Sequence, residues 1–566
     1  MPSPNLIPAL ESIVGKKNLH TKQSRTAYYR SGFRSGLGDA SAVVFPSTLL
    51  EQWKVLKACV ERNCIIIMQA TKTGLTEGSC PSGFDYDREV VVINITLIKK
   101  ITLLDGGKQI IALPGSTLHE LEQVLKPIGR APHSVIGSTT IGATIIGGIA
   151  NNAGGALCKR GSSFTELSLF AQVDKKGELH LVDHLGIKNL GETPEEIFTR
   201  LEQGEFSPED IEGHDRIASD RDYADRIRDL EADVPNRYNA DPKRLHEVSG
   251  SAGKVAAFAV RVDTYPVPER KQVFFLGSND PKHFVTLRKK VLQEFEYLPE
   301  MCEYMNRGIF DTAERYGKDV FLSIKHLGTE KLPQAYALKS NAEYLLNKVP
   351  FLPKFLPDLF LYFVSRLFPS HLPKRLLSYR DKFEYYLILS TADEAIYETC
   401  TYLEEEWSQI EGVEFFECDE KEQEAALLHR FAAAGAAIRY QNLHQKTTEE
   451  VLALDIALLG NDDDWVEELP PEIAEHLELT LYYGHYMCHV FHQDYIFKKG
   501  TDIEKMKKLM LKRLDEKNAK YPAEHNVGHM YNADSTLRDF YESLDPTNTF
   551  NPGIGKTDKK RKALFT

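Results

Sequence analysis

The apolar runs "CIIIM" (64–68) and "EVVVINIT" (89–96) constrain this chain more than any other feature. Stretches so rich in β-branched residues, bounded by small and polar ones, predict two buried strands. Their connection opens with "QATKTGLTEGS" (69–79), which holds two Gly, three Thr, one Ser and, Leu75 apart, no large apolar side chain. Successive backbone N–H groups in a Gly-rich turn form an anion-binding concavity, and hydroxyls add donors without bulk. The loop reads as a diphosphate cradle, although a plain surface loop can share its composition.

A second segment strengthens that reading. Residues 134–158, "SVIGSTTIGATIIGGIANNAGGALC", carry no charge and include six Gly. Glycine weakens a helix and the paired Asn lower hydropathy, so a membrane span is rejected here. Glycines do let a backbone lie close along a flat ring and a long chain. Two such segments in one strand-rich region suit an extended dinucleotide. Better-known phosphate motifs fail: no G-x-G-x-x-G stands between a strand and a helix, and "NPGIGKT" (551–557) has Phe550 where a P-loop needs its first Gly.

A chain of 566 residues predicts two or three domains. Its net charge of −13 argues against a nucleic-acid partner. Eight scattered Cys without a C-x-x-C pair exclude a disulfide scaffold or a Cys-based zinc site and suit a reducing compartment. The N-terminus lacks a basic segment followed by an apolar run, so no secretory signal is expected.

Strand and helix signals alternate over the first 265 or so residues. "AVVF", "QIIALPG", "LSLFAQV", "LHLVDH" and "VAAFAVRVDTY" read as strands, and Thr48/Glu51 and Thr117/Glu120 as capping boxes opening helices. Residues 203–233 are dense in charge and predict a solvated excursion. Residues 348–382 carry seven basic side chains against two acidic ones, interleaved with Phe and Leu and broken by five Pro. That mixture, opposite in sign to the whole chain, suits a lipid headgroup layer. Packing on a core with a basic outer face is the plainer alternative.

Three further segments gather histidine, glutamate and arginine, side chains that serve as general bases, metal ligands and carboxylate-binding cations. "YGHYMCHVFHQDY" supplies His485, His489 and His492; "PAEHNVGH" supplies Glu524, His525 and His529; "HRFAAAGAAIRY" supplies Arg430 and Arg439 as carboxylate candidates.

"QATKTGLTEGS", "GSTTIGATIIGGIANNAGG" and "SGSAGKVAAFAVRVDTYPVP" resemble the nucleotide-contacting segments of vanillyl-alcohol-oxidase-type FAD-binding domains. With "GFRSGLGDASAVVFP", "RFAAAGAAIRYQ", "VFHQDYIFKKG", "YPAEHNVGH" and "DPTNTFNPGIGK", the chain is similar to bacterial respiratory, quinone-dependent D-lactate dehydrogenases over nearly its whole length. The resemblance implies an α+β protein: a two-subdomain FAD-binding domain (1–265 and 520–566), an α+β cap (266–315, 383–425 and 450–519) and a small inserted helical membrane-binding domain (316–382 and 426–449). It implies non-covalent FAD touching Ala70, Thr71, Lys72, Thr73, Gly74, Gly78, Ser79, Gly137, Thr144, Gly154 and Ala257. It implies His525 as base, Arg430 near the carboxylate, and His485, His492 and Glu524 as ligands of a divalent metal, Zn or Mn. Related hydroxy-acid dehydrogenases with that metal have a Gly-Asp-Gly-Asn turn between the two histidines, where this chain has "YMCHVF". The expected activity is oxidation of D-lactate to pyruvate, with electrons passing from FAD to membrane quinone. The expected place is the cytoplasmic face of the bacterial inner membrane, held peripherally on anionic lipid by 348–382, with no membrane span. Oxidation of another D-2-hydroxy acid, such as 2-hydroxyglutarate or glycolate, is the alternative. A metal-dependent hydrolase and a non-catalytic lipid-surface protein are further readings.

Overall fold

A computed structural model describes residues 6–204, 206–213, 215–327, 346 and 355–562. Lys348, Phe351 and Lys354 of the basic stretch lie outside the described residues.

The two founding runs form the strands Ile65–Gln69 and Val90–Asn94, which pair in parallel with Ile65 opposite Val90. Ala42–Val44 joins Val90–Asn94 in parallel, and Leu19–His20 adds antiparallel at the far edge. Parallel pairing forces the chain to cross back between the strands, so the 69–79 loop sits at a carboxyl end, where open α/β sheets bind ligands. The C-terminal stretch returns to this sheet: Ile66 donates its N–H to Thr549 O at 2.9 Å, and Phe550 is fully buried in the same core. The helix Leu49–Glu61 covers the sheet, and its Thr48 cap accepts from Glu51 N at 3.1 Å. Glu51 completes a bond to Ser47, not to Thr48, so only half of the expected box forms there. At Thr117 and Glu120 the box is complete.

A five-stranded antiparallel sheet follows, in the order Ile101–Leu104, Gln109–Ala112, Ala256–Asp263, Ser168–Val173, Leu179–Asp183. A seven-stranded antiparallel sheet makes the second half: Val413–Glu417, Lys271–Ser278, Tyr385–Ala392, Met301–Asn306, Leu477–His485, Val490–Lys498, Thr448–Ala457. One face packs on Trp407, Phe284 and Met510; the other packs under the helices Arg307–Tyr316 and Glu420–Leu443. The second helix approaches closely because its inner face is alanine: Ala425, Ala426, Ala433, Ala436 and Ala437 are buried. The boundary expected at 425/426 falls inside this continuous helix, which packs on the seven-stranded sheet.

Residues 203–233 match the expectation of a solvated excursion only in part. Tyr223 and Ile227, on the helix Tyr223–Arg228, are buried in the second-half core. Asp220, itself buried, pairs with Arg226 and Arg244, each at 2.6 Å. Asp220 and Arg226 serve this internal cluster, whereas Glu209, Asp222, Asp225, Glu231 and Asp233 stay exposed to solvent. Among the described residues no helix is long and apolar enough to cross a membrane.

Candidate active site

Sheet register builds the site. Glu303 lies directly opposite His485, Tyr483 opposite His492, and His492 opposite Asp455. These side chains share one sheet face. The segment bearing Glu524 and His525 runs back past the edge strand, where Lys520 and Ala457 exchange backbone bonds of 2.8 and 2.9 Å.

His485 Nδ1 lies 2.6 Å from Glu303 Oε1, and its Nε2 lies 3.4 Å from Glu524 Oε2. His492 Nδ1 lies 3.2 Å from Asp455 Oδ1, and its Nε2 lies 3.7 Å from the same Glu524 oxygen. The two imidazoles therefore converge on one carboxylate, each backed by another. Arg237 pairs with Glu524 from behind, and Arg430 pairs with Glu303 at 2.7 Å while stacking on Tyr483 at 4.6 Å. Burial opposes the charge on Glu524, but His485 and Arg237 outweigh it and hold the carboxyl well below its usual range. Burial likewise works against a proton on His485, yet Glu303 and Glu524 push it up to about 10. His525 is about one-third exposed and places Nε2 3.9 Å from Asp455 Oδ2.

The glycine-rich segment meets this cluster. A Cβ on Gly154 would lie 2.6 Å from Glu524 Oε1 and 2.9 Å from Arg237 Nε, so only glycine lets the two approach. A Cβ on Gly78 would lie 2.8 Å from Asn526, beside His525. Thr76 O accepts from His529 N at 3.0 Å, bracing the diphosphate loop against the same segment.

Residues 40–182 match a family described as FAD binding domain, and 273–563 match one described as D-lactate dehydrogenase, membrane binding. The quinone-dependent D-lactate dehydrogenase of Escherichia coli (strain K12) is 53% identical over 552 residues, 98% of this chain and 96% of that protein. That of Haemophilus influenzae is 52% identical over 98% of each chain. The chain belongs to the quinone-dependent D-lactate dehydrogenase family. Solved flavoprotein-fold relatives agree on architecture. A substrate-bound p-cresol methylhydroxylase superposes with a TM-score of 0.57 at 11% identity, covering 98% of this chain and 96% of that one. An alkyldihydroxyacetonephosphate synthase reaches 0.60 at 13% identity, covering 98% and 85%. The α+β, vanillyl-alcohol-oxidase-type fold read from the sequence is the fold observed.

As a member of the quinone-dependent D-lactate dehydrogenase family, the chain carries an FAD-binding domain, and its residues fit the cofactor. Cβ positions at Gly74 and Gly137 face open space, and that of Gly142 meets only Thr71, at 3.9 Å, across the gap between the two Gly-rich segments. The buried hydroxyls of Thr139 and Thr140 lack partners among the described residues. Ala70, Thr71, Thr73 and Ser79 lie on the facing loop, whose carbonyls are pinned: Asn94 donates to Ala70 O at 3.0 Å and Gln69 to Ser79 O at 2.7 Å. Lys72 offers its backbone only, because its ammonium turns away to Tyr28 O and Ser31 O. Thr144 spends its hydroxyl capping Gly147 N, and Ala257 sits in a central strand.

His485, His492 and Glu524 fit a divalent ion by donor set, with ligand atoms all within 4.8 Å of one another. Arg439 does not reach the site. It is buried in ion pairs with Asp319 and with Asp358, at 3.2 Å to the latter, tying three helices together. His489 and His529 also turn away, to Leu459 O at 3.3 Å and Gly553 O at 3.1 Å. Glu303, Asp455 and Arg237 were missed by sequence reasoning. The strand-borne pair could have been found only from the register of "MCEYMN" and "LALDIAL" against the histidine strands.

Proposed function

We propose that the chain oxidises D-lactate to pyruvate, with FAD as first electron acceptor and a membrane quinone as the next. The observation that carries the proposal is the contact of Gly154 with Glu524, which sets a flavin-type glycine segment against a histidine–carboxylate cluster. When bound, FAD supplies the hydride acceptor. A divalent ion, if held by His485, His492 and Glu524, supplies Lewis acidity at the substrate hydroxyl. The chain's own residues do the rest. Arg430, anchored by Glu303 and Tyr483, supplies a positive field for the substrate carboxylate. His525, partly open to solvent, takes the hydroxyl proton and passes it outward. Arg237 keeps Glu524 ionised and in place.

The proposal extends to the surface. Phe360, Phe363, Leu367 and Phe368 are at least half exposed, which supports peripheral contact with the acyl boundary of a membrane, at the cytoplasmic leaflet where anionic headgroups attract cations. Of the basic residues there, Arg375 pairs with Glu422 and Arg380 with Asp311 and Glu314, so these two are engaged within the protein. The FAD-binding part is assigned to 1–265 with 520–566, and the helix Glu420–Leu443 to the cap sheet it covers.

Anaerobic mixing with D-lactate tests the reading. Bleaching of the flavin by D-lactate, faster than by glycolate or D-2-hydroxyglutarate, is expected; an oxidised spectrum that D-lactate leaves unchanged rejects it. H525A should retain FAD and slow bleaching by roughly 10²–10⁴-fold, the usual contribution of a general base.

A further inference from the structure

We infer that the helix Gln23–Arg30 and the hairpin after it form a second lipid-contact surface, on the FAD-binding part, which takes an anionic bilayer; the inference rests on the membrane contact proposed above. From Ser12 to Gly38 the chain has six Lys and Arg and no Asp or Glu, in a protein of net charge −13. Arg30 turns inward, where it is buried and pairs with Asp39 at 3.0 Å. Lys16, Lys17, Lys22, Arg25 and Arg34 are exposed and make no ion pair among the described residues. Helical spacing sorts the two faces. Thr26 and Arg30, four apart, share the buried one, whereas Arg25 and Tyr28, three apart, share the outer one.

The hairpin is held firmly beside that face. Ser31 pairs with Leu37, and Gly32 N donates to Gly36 O at 3.0 Å. A Cβ on Gly36, whose φ is +86°, would lie 2.6 Å from the Glu77 side chain, so the turn sits directly on the 69–79 loop. Ser35 Oγ donates to Glu77 Oε1 at 2.6 Å. The Lys72 ammonium donates to Ser31 O at 2.8 Å and lies 3.8 Å from the Tyr28 ring centroid. The backbone is thus fixed from the loop side, and Tyr28, Phe33 and Leu37 are left 61%, 49% and 51% exposed. Unpaired cations beside exposed aromatics suit a headgroup layer, which apolar side chains enter and where cations meet anionic lipid. An acidic chain is repelled by such a surface except where it is locally basic, as it is here. The family matched by 273–563 is described as membrane binding, which favours a bilayer over a protein as the occupant. A contact at this hairpin holds the FAD-binding part, as well as the cap, against the lipid in which a quinone dissolves.

Flotation of the FAD-loaded protein with phosphatidylcholine vesicles, with and without phosphatidylglycerol, tests the inference. F33S/L37S and K22A/R25A should keep wild-type FAD content, melting temperature and reduction of a soluble dye by D-lactate. F33S/L37S should bind the anionic vesicles at least about tenfold more weakly, because two large apolar side chains are no longer buried there. K22A/R25A should lose at least about fivefold at low salt, and that loss should vanish at high salt. An environment-sensitive fluorophore on F33C should shift to the blue with anionic vesicles and stay unchanged with phosphatidylcholine alone. Wild-type vesicle binding by either variant, or a fluorophore that does not shift, would overturn the inference. So would self-association that F33S/L37S abolishes while vesicle binding persists, since a second copy is then the occupant. Should F33S/L37S fail to fold, K22A/R25A decides, because its side chains are exposed and unpaired. Wild-type protein that does not float at all removes the membrane contact proposed above. Wild-type protein that floats, and is weakened only by replacing Phe360, Phe363 and Leu367, removes this second surface alone.

Discussion

Gly154 shows how much one absent side chain can decide. It was legible in the sequence as part of a backbone that must come close to a cofactor, but not that its inner side is filled by Glu524 and Arg237. G154A would put a methyl 2.6 Å from Glu524 Oε1 and force the carboxylate off the two histidines. Flavin reduction by D-lactate should slow at least about tenfold, with a stability loss of about 1–3 kcal/mol typical of overpacking; stopped-flow bleaching and urea denaturation measure the two. The arginines teach the complementary lesson. Arg430 and Arg439 are nine positions apart on one helix, two and a half turns at about 3.6 residues per turn, so they face opposite sides. Composition made both candidates, yet helical geometry lets only Arg430 face the histidine–carboxylate cluster, through Glu303. R439A removes the buried cation shared by the carboxylates of Asp319 and Asp358, the second of which keeps its bond from Asn442. It should cost about 3–5 kcal/mol of stability and leave the D-lactate dependence of surviving holoenzyme unchanged, read from its melting curve and steady-state rates.

Among the elements, the helix Leu356–Arg366 is the clearest departure from ordinary core packing. Phe360, Phe363 and Leu367 follow an i, i+3, i+7 stripe and are 66%, 62% and 84% exposed, whereas Tyr362 and Ser365 on the other side are buried. The sequence showed the mixture of cations and aromatics, and that mixture was read as a lipid-facing surface. It could not show which members face outward, because Pro breaks the stretch into pieces too short for a clean period. The outward set joins these apolar side chains to exposed cations such as Arg366 and Lys374. Replacing Phe360, Phe363 and Leu367 by Ser should weaken binding to anionic vesicles by at least about tenfold, since each large apolar side chain contributes about 1.5–3 kcal/mol when buried. Reduction of a soluble dye should persist. Replacing Arg375 and Arg380 by Ala should instead lower the melting temperature, because their partners are Glu422, Asp311 and Glu314. Vesicle flotation beside a melting curve separates the two effects.

Over the whole molecule, strands and caps were legible because their signals are local, as at Ile65–Gln69 and Thr117. The site was legible only in its motif-bearing members. Glu303 meets His485 across 182 positions and Arg237 meets Glu524 across 287, pairings that no local pattern encodes. The same long-range burial places histidines where a proton is costly. Burial, helped by Arg160 and opposed by Asp263, pushes His133 down to about 4. Burial, with Lys318 and Lys325 nearby, does the same for His371, and burial beside His371 takes His429 to about 3. All three are neutral in the folded chain at pH 7. Their folded pKa values lie below the unfolded one of about 6.5, so between those values the unfolded chain binds more protons, and stability rises with pH. The contribution is complete above about pH 6.5 and is lost as pH falls toward 4, at up to roughly 1.4 kcal/mol per pH unit for each histidine. Urea midpoints measured from pH 7 to 5 should therefore fall, and H429Q should flatten the slope by about one histidine's share. A midpoint that stays level across that range, or a slope unchanged in H429Q, would show that these rings do not set the acid limit of the fold.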